Sequence, residues 1–434
     1  MSSSGVATDV GWLARRFEVE VGAVAHGGHC VARAEGRVLF VRHALPGEQV
    51  IVEVTEDRGG SFCRADAVEI LTPSPDRVTP PCALSGPAGC GGCDWQHASP
   101  AAQRELKAFV VVEQLRRLAG LDIEVRVEEL PGGSLGWRTR QRLAVDKAGR
   151  AGLRVHHSHR ILPLADNVFT DPLTGAGELR GCPISVPDLF GDVLDTAQRP
   201  DTELDVVLDD TGEQHVASLA PIPTRSNRGA KKFRTHWLRG GTATQHAADR
   251  DWLLHADGFW QGHPAAAQTL AEVVAEFAAT PVGGSAWDLY GGVGLFAAVL
   301  AEQVGPSGSV LLIESVPSAV EDAERNLVDL PWVRYVTGRV EHVLVDGTDL
   351  AAGGVDIGPD VVVLDPPRKG AGKAVVDAIA SEAPLRVVYV ACDPAALARD
   401  VAGFAEHGYR LSALRAFDAF PMTHHVECVA LLER

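Results

Sequence analysis

Apolar and polar residues alternate over residues 17–71: Phe17-Glu-Val-Glu-Val-Gly, then Arg37-Val-Leu-Phe-Val-Arg, then Gln49-Val-Ile-Val-Glu-Val. A period of two marks strands with one buried face. Gly27-Gly28, Pro46-Gly47 and Gly59-Gly60 fall between the runs, as turn residues should. Short strands at this spacing predict a small β-barrel over 16–73, behind a leader, residues 1–15, expected to be disordered. The period changes at Pro100. Leu106, Phe109, Val110, Val112, Leu115 and Leu118 predict a helix over 100–119. Residues 121–240 mix short strands with basic loops, so 74–245 is expected to be a central α+β domain. From about 246 helix and strand alternate. Helices are expected at 265–279, 295–304, 318–327, 373–381 and 395–407. Strands are expected at 286–290, 309–314, 333–337, 360–364 and 385–390, with a last pair near 409–416 and 426–432. This pattern predicts an α/β domain over 246–434, a doubly wound sheet closed by a hairpin-like pair.

Composition adds little to that frame. The chain is 46% hydrophobic and 22% charged, ordinary for a soluble protein. It has no uncharged apolar run long enough to span a bilayer and no basic-then-apolar leader, so a cytoplasmic, monomeric protein without membrane contact is expected. A net charge of −17 argues against nucleic acid, but charge distribution matters more than the sum. Residues 131–160 hold seven Lys/Arg and one acid, and residues 225–239 hold six Lys/Arg and none. Each stretch reads equally as an RNA-facing surface or as solvated loops. In Arg138-Thr-Arg-Gln-Arg142 the alternating arginines would share one strand face, suited to phosphates or simply to water.

The barrel residues Gly22-Ala-Val-Ala-His-Gly-Gly28, with Ala44-Leu-Pro-Gly-Glu48, resemble a TRAM domain, an OB-like RNA-binding barrel. Beyond the linker stand Cys82, Cys90 and Cys93, the last two in Cys-Gly-Gly-Cys. Clustered cysteines in a large cytoplasmic chain suggest metal or catalysis rather than disulfides. Zinc and iron–sulfur sites both need four ligands, and Cys182 is the fourth candidate. One Cys-x-x-Cys pair plus two single cysteines fits a cluster better than zinc, and Cys182 could also be a plain core thiol.

The strand–helix alternation after residue 246 resembles the class I S-adenosylmethionine-dependent methyltransferase fold, which is Rossmann-like. Asp288-Leu-Tyr-Gly-Gly-Val-Gly-Leu295 occupies a strand-to-helix turn, where glycines admit a ligand close to the backbone. Glu314 ends the next strand, placed to accept hydrogen bonds from ribose hydroxyls. A dinucleotide-binding turn would look similar. Asp365-Pro-Pro-Arg-Lys-Gly370 ends the fourth strand, and Arg368 stands where amine methyltransferases carry an aromatic residue. Tyr389-Val-Ala-Cys-Asp-Pro394 ends the fifth. Cys392 is there either a nucleophile or a buried small side chain. Glu427 follows Phe420-Pro-Met-Thr-His-His-Val, and could be a surface carboxylate; Cys428 alternates towards the core. A thiol with a separate carboxylate suits a pyrimidine, because thiolate addition at carbon 6 activates carbon 5 and a base must then remove its proton.

Taken together, these motifs are similar to those of the RNA 5-methyluridine (uracil-C5) methyltransferase family. The residues that carry the resemblance are Phe259-Trp-Gln261, the 288–294 turn, Asp365 to Gly370, Tyr389 to Pro394 with Ala-Arg-Asp400, and Pro421 to Glu427. The resemblance implies Cys392 as nucleophile and Glu427 as base. It implies S-adenosyl-L-methionine as cofactor, with Gln261, Tyr290, Gly292, Gly294, Glu314 and Asp365 around the donor and the target base. It implies a [4Fe-4S] cluster on Cys82, Cys90, Cys93 and Cys182. The branch with a TRAM domain and this cluster acts mainly on 23S rRNA, so RNA is the expected partner, with tRNA as the lesser alternative. Three departures stand out: a longer Cys82–Cys90 spacing, Gly291 in place of a frequent cysteine, and Asp393, whose charge beside Cys392 works against a thiolate. A catalytically degenerate RNA-binding or ribosome-assembly factor is the competing reading from another class.

Overall fold

The computed structural model describes residues 11–171, 175, 177–222, 233–346 and 358–434. The leader expected over 1–15 lies, for residues 1–10, outside these. Its remainder is ordered: Trp12 is buried in the barrel core, and the Arg37 guanidinium lies 4.4 Å above its ring. The barrel orders its strands Arg16–Glu20, Gln49–Glu56, Phe62–Thr72, Arg37–Arg42 and Cys30–Ala34. Gly22 N–H donates to Val31 O and Val31 N–H to Ala23 O, which joins the two ends. Val19, Leu39, Val41, Val50, Val52 and Val54 fill the interior, as their alternation requires.

The helix Pro100–Ala119 starts on Ser99, whose side chain accepts from Ala102 N–H, and stops at Gly120 in the left-handed region. A six-stranded antiparallel sheet follows, in the order Phe233–Arg239, Gln214–Pro221, Glu203–Leu208, Arg140–Val145, Ala151–Arg154, Ile161–Pro163. The central segment is not self-contained. Its strand Val127–Glu129 pairs with Arg410–Asp418 at the edge of the C-terminal sheet, and its helix Pro100–Ala119 packs on the helix Pro394–Glu406.

The C-terminal sheet has eight strands. Val333–Thr337, Ser309–Glu314, Ser285–Leu289, Val361–Leu364 and Arg386–Ala391 run parallel. The helices Ala266–Ala278 and Leu295–Val304 bury one face, and Lys373–Ser381, Pro394–Glu406 and Pro100–Ala119 the other. The final strand, Glu427–Glu433, inserts antiparallel between Arg386–Ala391 and Arg410–Asp418. The pairing of Ala391 with Cys428 therefore sets Cys392 beside Glu427, across 35 residues of chain. A short helix, Val340–Asp346, had no clear periodic signal. Among the described residues no helix is long and apolar enough to cross a membrane.

Candidate active site

Parallel strands deliver their last residues to one edge, where open α/β sheets bind ligands. There a cavity of about 930 Å³ opens, and Gln261, Tyr290, Gly292, Glu314, Asp365, Cys392 and Glu427 all line it. Gly294 does not. It caps the helix Leu295–Val304 in the left-handed region, and a Cβ there would sit 2.9 Å from Leu327. Gly291 has a similar reason: a Cβ would meet Leu312 at 2.7 Å and the Asp288 carboxylate at 2.9 Å, so the frequent cysteine has no room in this chain.

Glu314 closes the turn from the neighbouring strand. It accepts from the backbone N–H groups of Gly292 (3.2 Å) and Val316 (2.8 Å). Tyr290 holds a positive φ of 61°, a strained position for a bulky side chain, and its buried hydroxyl has no partner. Asp288, fully buried, also has two unpartnered carboxylate oxygens, and burial pushes it up to about 8. Asp288 lies behind the turn and does not line the cavity, whereas the unmet Tyr290 hydroxyl belongs to a lining residue and suits a polar ligand.

The same cavity is lined by Cys392, Asp365, Arg368 and Glu427. Burial pushes the Cys392 thiol up to about 12, helped by Glu427 and Asp365, while the Arg368 guanidinium opposes this. Asp393 raises the thiol as well, less than Glu427 and Asp365 do. It accepts from Ala396 N–H (2.8 Å), capping the helix Pro394–Glu406, and pairs with His26 Nε2 at 2.9 Å. His26 comes from the barrel, 367 residues away. Glu427, buried, is pushed well above the usual carboxylate range by burial and by Asp365, with Arg368 opposing. Asp365 is itself pushed up to about 7 by enclosure in protein. The two carboxyls thus disfavour each other's charge, and Arg368 favours that of Glu427.

Asp400, seen in sequence only as part of Ala-Arg-Asp, ties the two strand ends together. Its carboxylate accepts from Tyr389 Oη (2.6 Å) and from the N–H groups of Ala371 (2.7 Å) and Gly372 (3.2 Å). Gly370 has φ of 87°, and a Cβ there would lie 2.6 Å from this carboxylate. Asp400→Asn replaces an acceptor oxygen by an NH₂ facing those donors. We expect a loss of about 2–3 kcal/mol in urea unfolding; an unchanged midpoint would contradict the latch.

Cys82, Cys90, Cys93 and Cys182 converge on one small internal cavity elsewhere, together with Gln96 and Asn167. Burial pushes up Cys90 and Cys93 and carries Cys182 to about 11. Among the described residues no three of these sulfurs lie within 4.8 Å of one another; the group that does meet that spacing is Asp209, Glu213 and His215. There Asp209 already accepts from Thr211, Glu213, His215 and Thr244. Cys428, as its alternation implied, is buried in the core.

The arginine face expected at 138–142 is not a free phosphate surface. Arg140 is turned inward to the carbonyls of Trp260 and Ala256, and Arg142 forms a bidentate pair with Asp205. Much of the 225–239 stretch lies outside the described residues, and Arg239 is paired with Asp192.

Comparison with known proteins agrees with this geometry. The tRNA (Uracil-5-)-methyltransferase family matches residues 246–434, and the TRAM domain residues 14–68. An uncharacterised RNA methyltransferase of Streptomyces coelicolor is 46% identical, with 99% of this chain and 95% of that protein covered. The chain belongs to the RNA uracil-5 methyltransferase family. Another relative in the family, the 23S rRNA (uracil(1939)-C(5))-methyltransferase RlmD of Alkalilimnicola ehrlichii, is 33% identical, with 96% of each chain covered. The crystal structure of Pyrococcus abyssi tRNA (uracil-54, C5)-methyltransferase with S-adenosyl-L-homocysteine has TM-score 0.67 at 23% identity. It covers 96% of this chain and 100% of its own, and so shares the fold.

Proposed function

We propose that this RNA uracil-5 methyltransferase acts on 23S rRNA, using S-adenosylmethionine as methyl donor and Cys392 as a covalent nucleophile. The observation that carries the reading is the strand register that sets Cys392 beside Glu427 in one cavity with Asp365 and Arg368. The donor supplies an electrophilic methyl and a positive charge. Tyr290, Gly292 and Glu314 hold it against the glycine turn, and Gln261 and Asp365 orient the uracil ring. The Cys392 thiolate adds to carbon 6, and the electron pair moves to carbon 5, which takes the methyl group. Glu427 then removes the carbon-5 proton, the carbon 5–carbon 6 double bond re-forms, and the thiolate leaves. Without a ligand, burial favours the neutral forms of both Glu427 and Cys392. Arg368 favours their charged forms, and a positively charged donor, when bound, would act in the same direction. The target base must leave its stack, since carbon 6 meets the sulfur out of the ring plane. The RNA assignment is favoured by the full-length similarity to a 23S rRNA enzyme that this chain retains over its barrel and cysteine-bearing segment. Mapping 5-methyluridine in total RNA from a strain lacking the gene tests it. Loss of one or two sites in 23S rRNA is expected; loss in tRNA alone would overturn the assignment.

The four converging cysteines fit a [4Fe-4S] cluster. One Cys-Gly-Gly-Cys pair with two separate cysteines around one internal cavity is the arrangement that favours the cluster over zinc in this reading. Buried thiols raised in this way become thiolates only around a positive centre. Its place is structural. The neighbouring Asp94 and Trp95 N–H groups donate to Met422 O, and Asp94 pairs with His424 at 2.6 Å, so the cysteine loop braces the loop before Glu427. Anaerobically purified protein should carry iron and acid-labile sulfide in equal amounts, and Cys182→Ser should lose both and unfold at a lower temperature. Stoichiometric zinc without iron would refute the cluster.

A further inference from the structure

Cys392 faces two cavities. The second, of about 230 Å³, lies on the barrel side of the nucleophile. It shares Arg368, Cys392 and His425 with the first cavity and has none of the donor-side residues Gly292, Glu314 or Asp365. Its remaining wall comes from three distant parts of the chain: His26-Gly-Gly28 of the barrel, Trp95 with Val110, and Asp393-Pro394 with His424.

We propose that this second cavity receives the nucleotide next to the target uridine on the same RNA strand. The inference rests on the reading that Cys392 attacks a uracil ring. In that reaction the ring lies between the donor methyl and the sulfur, so a space on the barrel side of the sulfur, away from the donor residues, holds something other than the target ring or the donor. The next nucleotide is one phosphodiester away and must pass close by.

The chemistry of the wall agrees. The volume corresponds to about eight waters, the scale of one base. His424 and His425, both half-buried, lie with ring centroids 4.1 Å apart and give the space aromatic faces of the kind on which bases stack. The buried Trp95 holds the barrel loop through Nε1–H to Gly28 O at 2.9 Å. Gly27 and Gly28 leave the barrel loop without side chains there. Gly28 is fixed in place, since a Cβ would lie 2.6 Å from His424 Cβ. Arg368 makes no ion pair among the described residues; it donates to His425 Nε2 at 3.2 Å and can still meet a phosphate. The two carboxylates that would repel an RNA strand are both engaged, Asp393 by His26 and Asp94 by His424. The barrel thereby contributes to the reading of the strand beside the catalytic thiol, a role that a detached RNA-binding module would not have.

The test uses full-length enzyme with its metal centre, S-adenosylhomocysteine, and a synthetic RNA hairpin centred on the mapped uridine. Two further hairpins carry an abasic ribose on one side or the other of the target. At one flank the abasic change should weaken binding about tenfold or more. His26→Trp, which places an indole at the cavity mouth, should abolish that difference. His26→Ala, which breaks the same pair with Asp393 without filling the space, should keep it. S-adenosylhomocysteine titration of both variants confirms that each is folded. Equal binding of all three hairpins, or an undiminished flank effect in His26→Trp, overturns the inference. If the wild-type enzyme makes no 5-methyluridine, the functional reading itself has failed; if it methylates yet ignores both flanks, only the second cavity has been misread.

Discussion

Cys392→Ala should methylate RNA at least about 10⁴-fold more slowly than wild type, the scale of loss when a covalent nucleophile is removed. Carbon 5 of uracil is a weak nucleophile, and only addition at carbon 6 turns it into an enolate carbon. Among the described residues no other thiol lines this cavity. Cys428, the adjacent residue on the paired strand, is buried and faces the core, so it does not substitute. The variant should still bind S-adenosylhomocysteine, because Glu314 and the glycine turn are untouched. Single-turnover methylation with a tritiated donor measures the loss, and wild-type rates in this variant would sink the mechanism. In the wild type, the thiol pushed up to about 12 gives the pH dependence its sign. The thiolate fraction, and with it the rate below saturation, should rise with pH. Arg368→Gln removes the cation that opposes both shifts and should displace that rise to higher pH.

Glu427→Gln should fail at a different step. Its thiol can still add and the methyl can still be transferred, but nothing removes the carbon-5 proton. Turnover should fall by about 10²–10⁴, the usual contribution of a general base. A methylated, covalently linked RNA–protein species should accumulate, visible as a retarded band on a denaturing gel. Absence of that band alongside lost activity would assign Glu427 to an earlier step. The same substitution should stabilise the fold in alkaline solution. A carboxyl whose folded pKa is raised contributes stability below its ordinary pKa and loses it as pH rises through the folded value. Glu427 is raised well above the ordinary range, and Asp365 and Asp288 are raised to about 7 and about 8. Wild-type stability should therefore decline between about pH 4 and 8 from Asp365 and Asp288, with Glu427 adding to the decline as pH rises above the ordinary carboxylate range, and Glu427→Gln should remove its part. A stability advantage that did not grow with pH would contradict the buried-acid account.

The periodic parts of the chain announced themselves. The alternation around Val50 and Val52, the helix at 100–119 and the strand–helix series after 246 are set by local pattern, and each stands within a residue or two of its expected span. The candidate site residues were legible because a parallel sheet collects its strand ends, so Tyr290, Glu314, Asp365 and Cys392 had to share one edge. Three features were not legible, and all depend on long-range contact. The burial of Trp12 requires the barrel beneath it. The insertion of Glu427–Glu433 between two other strands, which brings the carboxyl to the thiol, is a matter of sheet order. The His26–Asp393 pair joins the barrel to the turn after Cys392 across most of the chain, and gives Asp393 a partner although its charge still raises the thiol, as the sequence suggests. The two readings of the arginines at 138–142 could not be separated by pattern, which gave neither the Asp205 partner of the exposed Arg142 nor the carbonyls around Arg140.

The most direct test of the account is the reaction of the wild-type enzyme with RNA carrying 5-fluorouridine at the target position. Fluorine at carbon 5 cannot leave as a proton does, so the adduct persists once the methyl has been transferred. Digestion and mass spectrometry should find one nucleotide, methylated and fluorinated, bound to the peptide that contains Cys392. A methylated RNA with no protein adduct, or an adduct on any other residue, would contradict the central claim.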